Sequence, residues 1–353
     1  MSGCPGRGGS SSPAVAANAE GDEIEVLESC DVLPTAPEEH WKALFDKMSN
    51  KRSNSFRRAI LQGSRQLQGR PLLEEPGLSA SQRLVRHIAH ETLPRELDRK
   101  WYYDNYTCCP PPWLILAITI AEVAVFVYYG VLLDRWVLQV SHPLFLKGAL
   151  VYHPQLRAQA WRYLSYIFMH AGIEHLGLNV TLQLLVGVPL EMVHGALRIG
   201  FVYLCGALAG SLAVSVADMT APAVGSSAGV YALVSAHLAN IVMNWSGMKC
   251  QFKLFRIGMA LVWMSAEFGR AVWLRFSLPA APPCPNPSFV AHLGGVAVGV
   301  TLGVVMLQNY EQRLQEQSLF WIFVFVYAIF VLFAIFWNVF AYSLLDLKLP
   351  PPP

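Results

Sequence analysis

From Trp113 onward the chain alternates long apolar runs with short polar interruptions. Runs near twenty residues long with few charges can cross about 30 Å of hydrocarbon as helices. The first predicted span, Trp113–Leu133, follows the helix-stopping Pro110-Pro111-Pro112. Asp134 to Ser165 is too polar to cross and is rich in Trp, Tyr, Leu and Pro, which suits the membrane–water interface. Six further spans are predicted at Gly172–Val193, Ile199–Val216, Ser227–Met243, Leu254–Trp273, Ser288–Leu307 and Leu319–Leu344. The pattern describes an all-α polytopic membrane protein.

The sequence ahead of the first span has a different character. Residues 1–36 hold small residues and acids without periodicity, the composition of a disordered segment. Pro37 to Met48 predicts a short helix with Trp41, Leu44 and Phe45 on one side. Ser79 to Leu93 predicts an amphipathic helix, with Leu84, Val85 and Ile88 opposed to Arg83, Arg86, His87 and His90. Such a helix could lie on the inner leaflet or pack on a partner or on the membrane domain. The expected organisation is a cytosolic, partly disordered region over 1–112, a membrane domain over 113–344 and a short Pro-rich tail over 345–353.

Composition agrees with this division. Of 353 residues, 54% are hydrophobic and 14% charged, against about a quarter charged in soluble domains. The net charge of +2 says little, but acids dominate from Glu20 to Glu39 and bases from Lys47 to Lys100. Basic sequence before a first span favours a cytosolic N-terminus. Lys249, Lys253 and Arg256 suit a cytosolic loop, whereas Arg135, Lys147, Arg157 and Arg162 fall in the segment placed outside. Residues 1–20 lack an apolar core, so no cleavable signal peptide is expected, and the acidic block argues against a mitochondrial presequence. The expected location is the secretory pathway or plasma membrane. The seven cysteines lack metal-ligand spacing. Cys108 and Cys109 precede the first span, as palmitoylation sites or as buried or interfacial thiols. No metal, cofactor or nucleic-acid partner is expected.

The candidate chemistry lies in polar residues inside the spans, where such side chains are costly. Gly225-Ser226-Ser227-Ala228-Gly229 opens the fourth span and leaves the Ser227 hydroxyl room for a tetrahedral intermediate, although small-residue clusters also serve helix packing. His175 and Asn179 stand one turn apart on the second span, with Gln183 a turn further, and His292 lies about one turn into the sixth. The second, fourth and sixth spans run in the same direction, so residues near their starts share one depth. Ala291, Gly295, Gly299 and Gly303 line one face of the sixth span; Ala228, Ala232 and Ala236 line the fourth. Two small-residue faces permit close approach and could bring His292 to Ser227.

The chemistry these groups suit is acyl transfer. His292 would take the Ser227 proton, while His175, Asn179 and the Ser227 N–H would donate to an oxyanion. Losing one such donor typically costs ~3–4 kcal/mol. Glu122, Glu191, Asp218 and Glu267 fall on other spans or at span ends, so a dyad is expected rather than a triad. Tyr231, one turn after Ser227, could hold the imidazole.

Over about residues 113–344 the chain resembles the rhomboid intramembrane serine proteases. The matching parts are Trp161-Arg162, His175-x-x-x-Asn179, Gly225-x-Ser227 and Ala291-His292-x-x-Gly295-x-x-x-Gly299. The resemblance implies a six-helix core with a Ser227–His292 dyad opening toward the outer leaflet, and an oxyanion hole lined by His175, Asn179 and the Ser227 amide. The helix after the core resembles the secretase-type animal rhomboids. Because a substrate must unwind within lipid before attack, the expected partners are single-pass transmembrane protein substrates and membrane lipid. Two departures stand out. Ala228 replaces the family's usual Gly after the nucleophile, where a methyl could narrow the oxyanion pocket. Glu38–Met48 resembles an EF-hand entering helix, but no calcium loop follows, so no calcium site is expected. The alternative reading is a catalytically silent relative that binds membrane clients and controls their traffic.

Overall fold

The computed structural model describes residues 77–93, 95–106, 111–245, 253–277, 286–308 and 318–345. The helix expected at Pro37–Met48 and the Cys108-Cys109 pair lie outside the described residues. Two helices precede the membrane domain, α1 (Ala80–Thr92) and α2 (Glu96–Asn105). Seven follow: α3 (Trp113–Leu133), α4 (Ile173–His194), α5 (Ala196–Ala217), α6 (Ser227–Met243), α7 (Lys253–Ser277), α8 (Val290–Leu307) and α9 (Ser318–Leu344). Five of these, α3, α4, α5, α8 and α9, are long and apolar enough to cross a membrane. α6 is apolar but shorter, and α7 is long but carries Lys253, Arg256, Glu267, Arg270 and Arg275.

α1 begins where its sequence says it should. Ser79 caps it by accepting the Gln82 N–H, and the Gln82 side chain returns the bond to the Ser79 N–H. Val85, Ile88 and Ala89 are buried against Tyr102, Met192 and Val193, whereas Leu84, expected on the same face, is exposed. Tyr102 on α2 donates to the Met192 carbonyl at 3.2 Å, and Glu91 pairs with Arg256 of α7 at 2.5 Å. α1 therefore packs on the membrane domain, one of the alternatives left open by its amphipathic pattern.

The segment between α3 and α4 folds as short helical turns held by buried polar contacts. Arg162 donates to the Gly148 and Val151 carbonyls at 2.9 and 2.6 Å. Glu191 accepts the Leu114 and Ile115 N–H groups at 2.9 and 2.8 Å, satisfying orphan donors at the start of α3. Glu122 of α3 is buried against Gln183 and Tyr203.

α6 is the centre of the molecule. Every residue from Ser227 to Ala236 is buried, as expected of a helix apolar on all sides. Its neighbours approach through glycine. A Cβ at Gly295 would lie 2.1 Å from the Ala228 carbonyl oxygen, one at Gly299 2.4 Å from that of Ala232, and one at Gly303 2.5 Å from the Ala236 Cβ. The two small-residue faces thus meet in register, four residues per step on each. Opposite them, Gly206 and Gly210 of α5 sit against the Cβ atoms of Ala232 and Ala228. At 1.5 Å per residue, this 17-residue helix spans about 25 Å, less than the roughly 30 Å of a bilayer's hydrocarbon core.

Candidate active site

The turn before α6 is fixed on three sides. Gly225 has φ +103°, a left-handed conformation that side chains avoid. Its N–H donates to the Tyr166 carbonyl at 3.1 Å. Ala223 exchanges backbone hydrogen bonds with Tyr152, and Pro222 accepts the Ser288 N–H at 2.9 Å, tying the turn to the entry of α8. A Cβ at Gly225 would also strike the His175 ring, 2.4 Å from Cε1. The glycine is required twice: for its backbone and for the space the imidazole fills.

His175 and Asn179 project from the first turns of α4. The His175 Nδ1 accepts the Ala171 N–H at 3.2 Å, which assigns the proton to Nε2. The Asn179 Nδ2 donates to the His175 carbonyl at 2.8 Å and to Glu267 Oε1 at 2.7 Å. Two N–H donors from one helical face therefore point into one small volume.

His292 is organised the opposite way. Its Nδ1 lies 2.9 Å from the Phe289 carbonyl, an acceptor, so Nδ1 carries the proton and Nε2 keeps a lone pair. That Nε2 is buried with no hydrogen-bond partner. The ring meets Tyr231 edge to face at 4.6 Å between centroids, and Phe268 at 6.0 Å. The Tyr231 hydroxyl donates to the Met264 carbonyl, fixing the phenol between α6 and α7. An imidazole anchored through Nδ1 with Nε2 left unbonded has the arrangement a general base needs. No acid orients it; the backbone at Phe289 does.

Ser227 is the first residue of α6 and is buried. It forms no hydrogen bond with the His292 Nε2 here; such bonds often tighten only when substrate is present. Ala228, the next residue, rests on Gly295, one turn beyond His292. The adjacent Ser226 is engaged elsewhere: its Oγ lies 3.2 Å from the His170 Nε2. Burial lowers the His170 pKa to about 4, so it is neutral near pH 7. The Ala228 methyl faces Gly210 of α5, since a Cβ there would come within 2.5 Å of it. Its direction is toward the neighbouring helix.

Glu267 is the residue that sequence reasoning passed over. It is 1% exposed, and its Oε1 lies 3.7 Å from the His175 Nε2 and 3.9 Å from the His292 Nε2. A lone carboxylate in the middle of an apolar run was the available signal. Of the other three acids set aside, Asp218 pairs with Arg275 at 2.9 Å, and Glu122 and Glu191 bond within the bundle as described. No cluster of His, Cys, Asp or Glu able to hold a metal ion occurs among the described residues.

Comparison with known proteins gives the family of the chain. Residues 157–309 match the Rhomboid domain model. The chain is 66% identical to Rhomboid-related protein 3 of Mus musculus over 97% of its length and 98% of that protein. Identity to Rhomboid-related protein 3 of Homo sapiens is likewise 66%, with the same coverage. Rhomboid-related protein 2 of Mus musculus is 37% identical over 73% of this chain and 85% of its own. With the apolar helices of a multi-pass membrane protein, a match spanning nearly the whole chain places it in the rhomboid family.

Proposed function

We propose that the protein is an intramembrane serine endopeptidase in which Ser227 is the nucleophile and His292 the base. The observation that carries this is the state of His292. Its Nδ1 proton is committed to the Phe289 carbonyl, and its Nε2 is buried without a hydrogen-bond partner, with the ring packed on Tyr231, one turn after Ser227. In the proposed reaction Nε2 accepts the Ser227 proton as Oγ bonds to the substrate carbonyl carbon. The oxygen that gains charge takes hydrogen bonds from the Asn179 Nδ2, the His175 Nε2 and the Ser227 N–H. Collapse of this intermediate breaks the C–N bond, and the imidazolium returns its proton to the leaving amine. Water then hydrolyses the ester by the same relay. A serine-directed fluorophosphonate should label the wild type and not Ser227→Ala. Equal labelling of both would end the proposal and favour a silent client-binding protein.

The substrate must come from lipid. Ser227 opens a short helix, with the N-terminus proposed as cytosolic and the pocket toward the outer leaflet. A helical substrate hides its carbonyls in i to i−4 bonds, so it must unwind before attack. Each freed backbone group costs several kcal/mol in hydrocarbon unless protein or water satisfies it. Residues such as Gly and Ser lower that cost. Single-pass clients with a lumenal or extracellular N-terminus are expected to be cut near the outer end of the span. Replacing Gly and Ser there by Leu should lower the cleavage rate at least tenfold. Undiminished cleavage, or cleavage at the cytosolic end, would sink this mechanism.

The region before Trp113 is proposed to regulate or localise and to do no chemistry. Activity in defined liposomes should be unchanged by chelators or added calcium. A calcium response mapping to residues 1–100 would overturn that assignment.

A further inference from the structure

Three buried acids in the membrane domain invite comparison. Glu191 is satisfied by two backbone N–H groups. Glu122 is held by Gln183 and Tyr203. Glu267 has one hydrogen bond, from Asn179 Nδ2 to Oε1 at 2.7 Å, and its Oε2 is buried with no partner. A buried carboxylate so thinly held serves packing poorly, because an unsatisfied polar atom away from water is destabilising. Nor does it orient the base. It faces the Nε2 edge of His292 rather than Nδ1, where an orienting acid would sit.

Its position is that of another group. Oε1 takes the Asn179 donor and lies 3.7 Å from the protonated nitrogen of His175. These are the donors that the substrate carbonyl oxygen would use. Two oxygens cannot occupy that space, and a carboxylate beside a developing oxyanion would repel it. We propose that Glu267 is a built-in competitor for the substrate carbonyl, seated in the oxyanion pocket until an entering segment displaces it. The proposal rests on the protease reading above and assigns that site its resting-state control.

The element carrying Glu267 suits release. α7 fully buries only Glu267 and Leu274. The rest of its contact is partial: Ala260, Trp263 and Met264 pack half-buried on the core, Phe268 meets Phe289 and His292, and polar links run from Tyr231 to the Met264 carbonyl, Arg256 to Glu91, Arg270 to Glu174 at 3.2 Å, and Arg275 to Asp218. Turning the Glu267 side chain away from Asn179 exchanges a hydrogen bond to a carboxylate for one accepted by the incoming carbonyl, which strengthens as that oxygen gains charge. A substrate that offers its carbonyl well opens the site; one that does not leaves it closed.

The test uses the full-length protein in liposomes and the rate of fluorophosphonate labelling, with Ser227→Ala as the blank. Glu267→Ala is expected to label about tenfold faster than the wild type, with Glu267→Gln in between, because a charged acceptor binds its donor more strongly than a neutral one. The gain should vanish in the Asn179→Ala background, where the carboxylate has lost its seat; a general loosening of α7 would persist there. Thermal unfolding verifies that each variant is folded, and Glu267→Gln, with nearly the same shape, decides the matter if the alanine variant is not. Folded Glu267 variants labelled at or below the wild-type rate would overturn the proposal while leaving the protease reading intact. Absence of Ser227-dependent labelling in every variant would remove both.

Discussion

Ser227→Ala should lower client cleavage by about 10⁴- to 10⁶-fold, the loss usual when a serine nucleophile is removed, while Ser226→Ala should retain most activity. The comparison is sharp because the serines are adjacent and both buried. Ser226 already has a histidine at 3.2 Å, so contact with an imidazole alone would nominate the wrong hydroxyl. The difference lies in what surrounds each. Ser227 is followed one turn later by Tyr231, which packs on His292, whose Nε2 has no hydrogen-bond partner, and in the proposed mechanism its hydroxyl works beside the donors Asn179 and His175. Ser226 and His170 have no such donors assigned to them. Ser226→Ala should therefore cost about 1 kcal/mol of stability through its lost hydrogen bond, and little turnover. The two variants are compared for client cleavage and thermal unfolding. A dead Ser226→Ala beside an active Ser227→Ala would move the nucleophile by one residue and dissolve the proposed dyad.

Gly295→Ala should lower catalysis by about 10²-fold although the residue touches no substrate. The added methyl would start 2.1 Å from the Ala228 carbonyl oxygen and 3.0 Å from its Cα, both backbone atoms that cannot swing aside. α8 must move away from α6, taking His292 away from Ser227. Overpacking of this kind costs about 1–3 kcal/mol, and a displacement near 1 Å at reacting groups costs about 10²-fold in rate. Gly258→Ala on α7 is the control, because a Cβ there meets nothing within 4 Å. Cleavage rates and melting temperatures of both variants decide the matter. A Gly295→Ala protein as active and stable as the wild type would show that helix contact does not set the spacing of the proposed dyad.

Much of the fold is legible in the sequence alone. The bilayer imposes its thickness on the chain, so Trp113–Leu133 was bounded by length and by the prolines before it. Ser79 and Gln82 marked the start of α1 because capping is local chemistry. The four-residue steps of Ala228, Ala232 and Ala236 against Gly295, Gly299 and Gly303 also carried their own register. Tertiary direction was less legible. Leu84 has the hydrophobicity of its neighbours, but which face of an amphipathic helix meets the domain depends on where Met192 and Val193 stand. α2 has too few apolar positions to show a stripe, and it is held through Tyr102 to a distant carbonyl. Ala228 raised concern for the oxyanion pocket only because its methyl's direction is unknowable from sequence; it faces α5. Glu267 was passed over for the same reason. Its charge was plain, but nothing in one sequence says which neighbours a side chain on α7 will meet.

The shortness of α6 has a consequence for how the protein is made. A 17-residue segment with glycine-mediated contacts on two sides has little to stabilise it in lipid until both neighbours are present. α5 precedes it, but α8 leaves the ribosome roughly 60 residues after α6 ends, several seconds later at ordinary synthesis rates. Until then the register between Ala228 and Gly295 does not exist, and His292 has no level at which to stand. If the proposed dyad is the active centre, the nascent chain is inert toward its membrane neighbours by order of synthesis, and a product truncated before Val290 would be a folding problem for quality control.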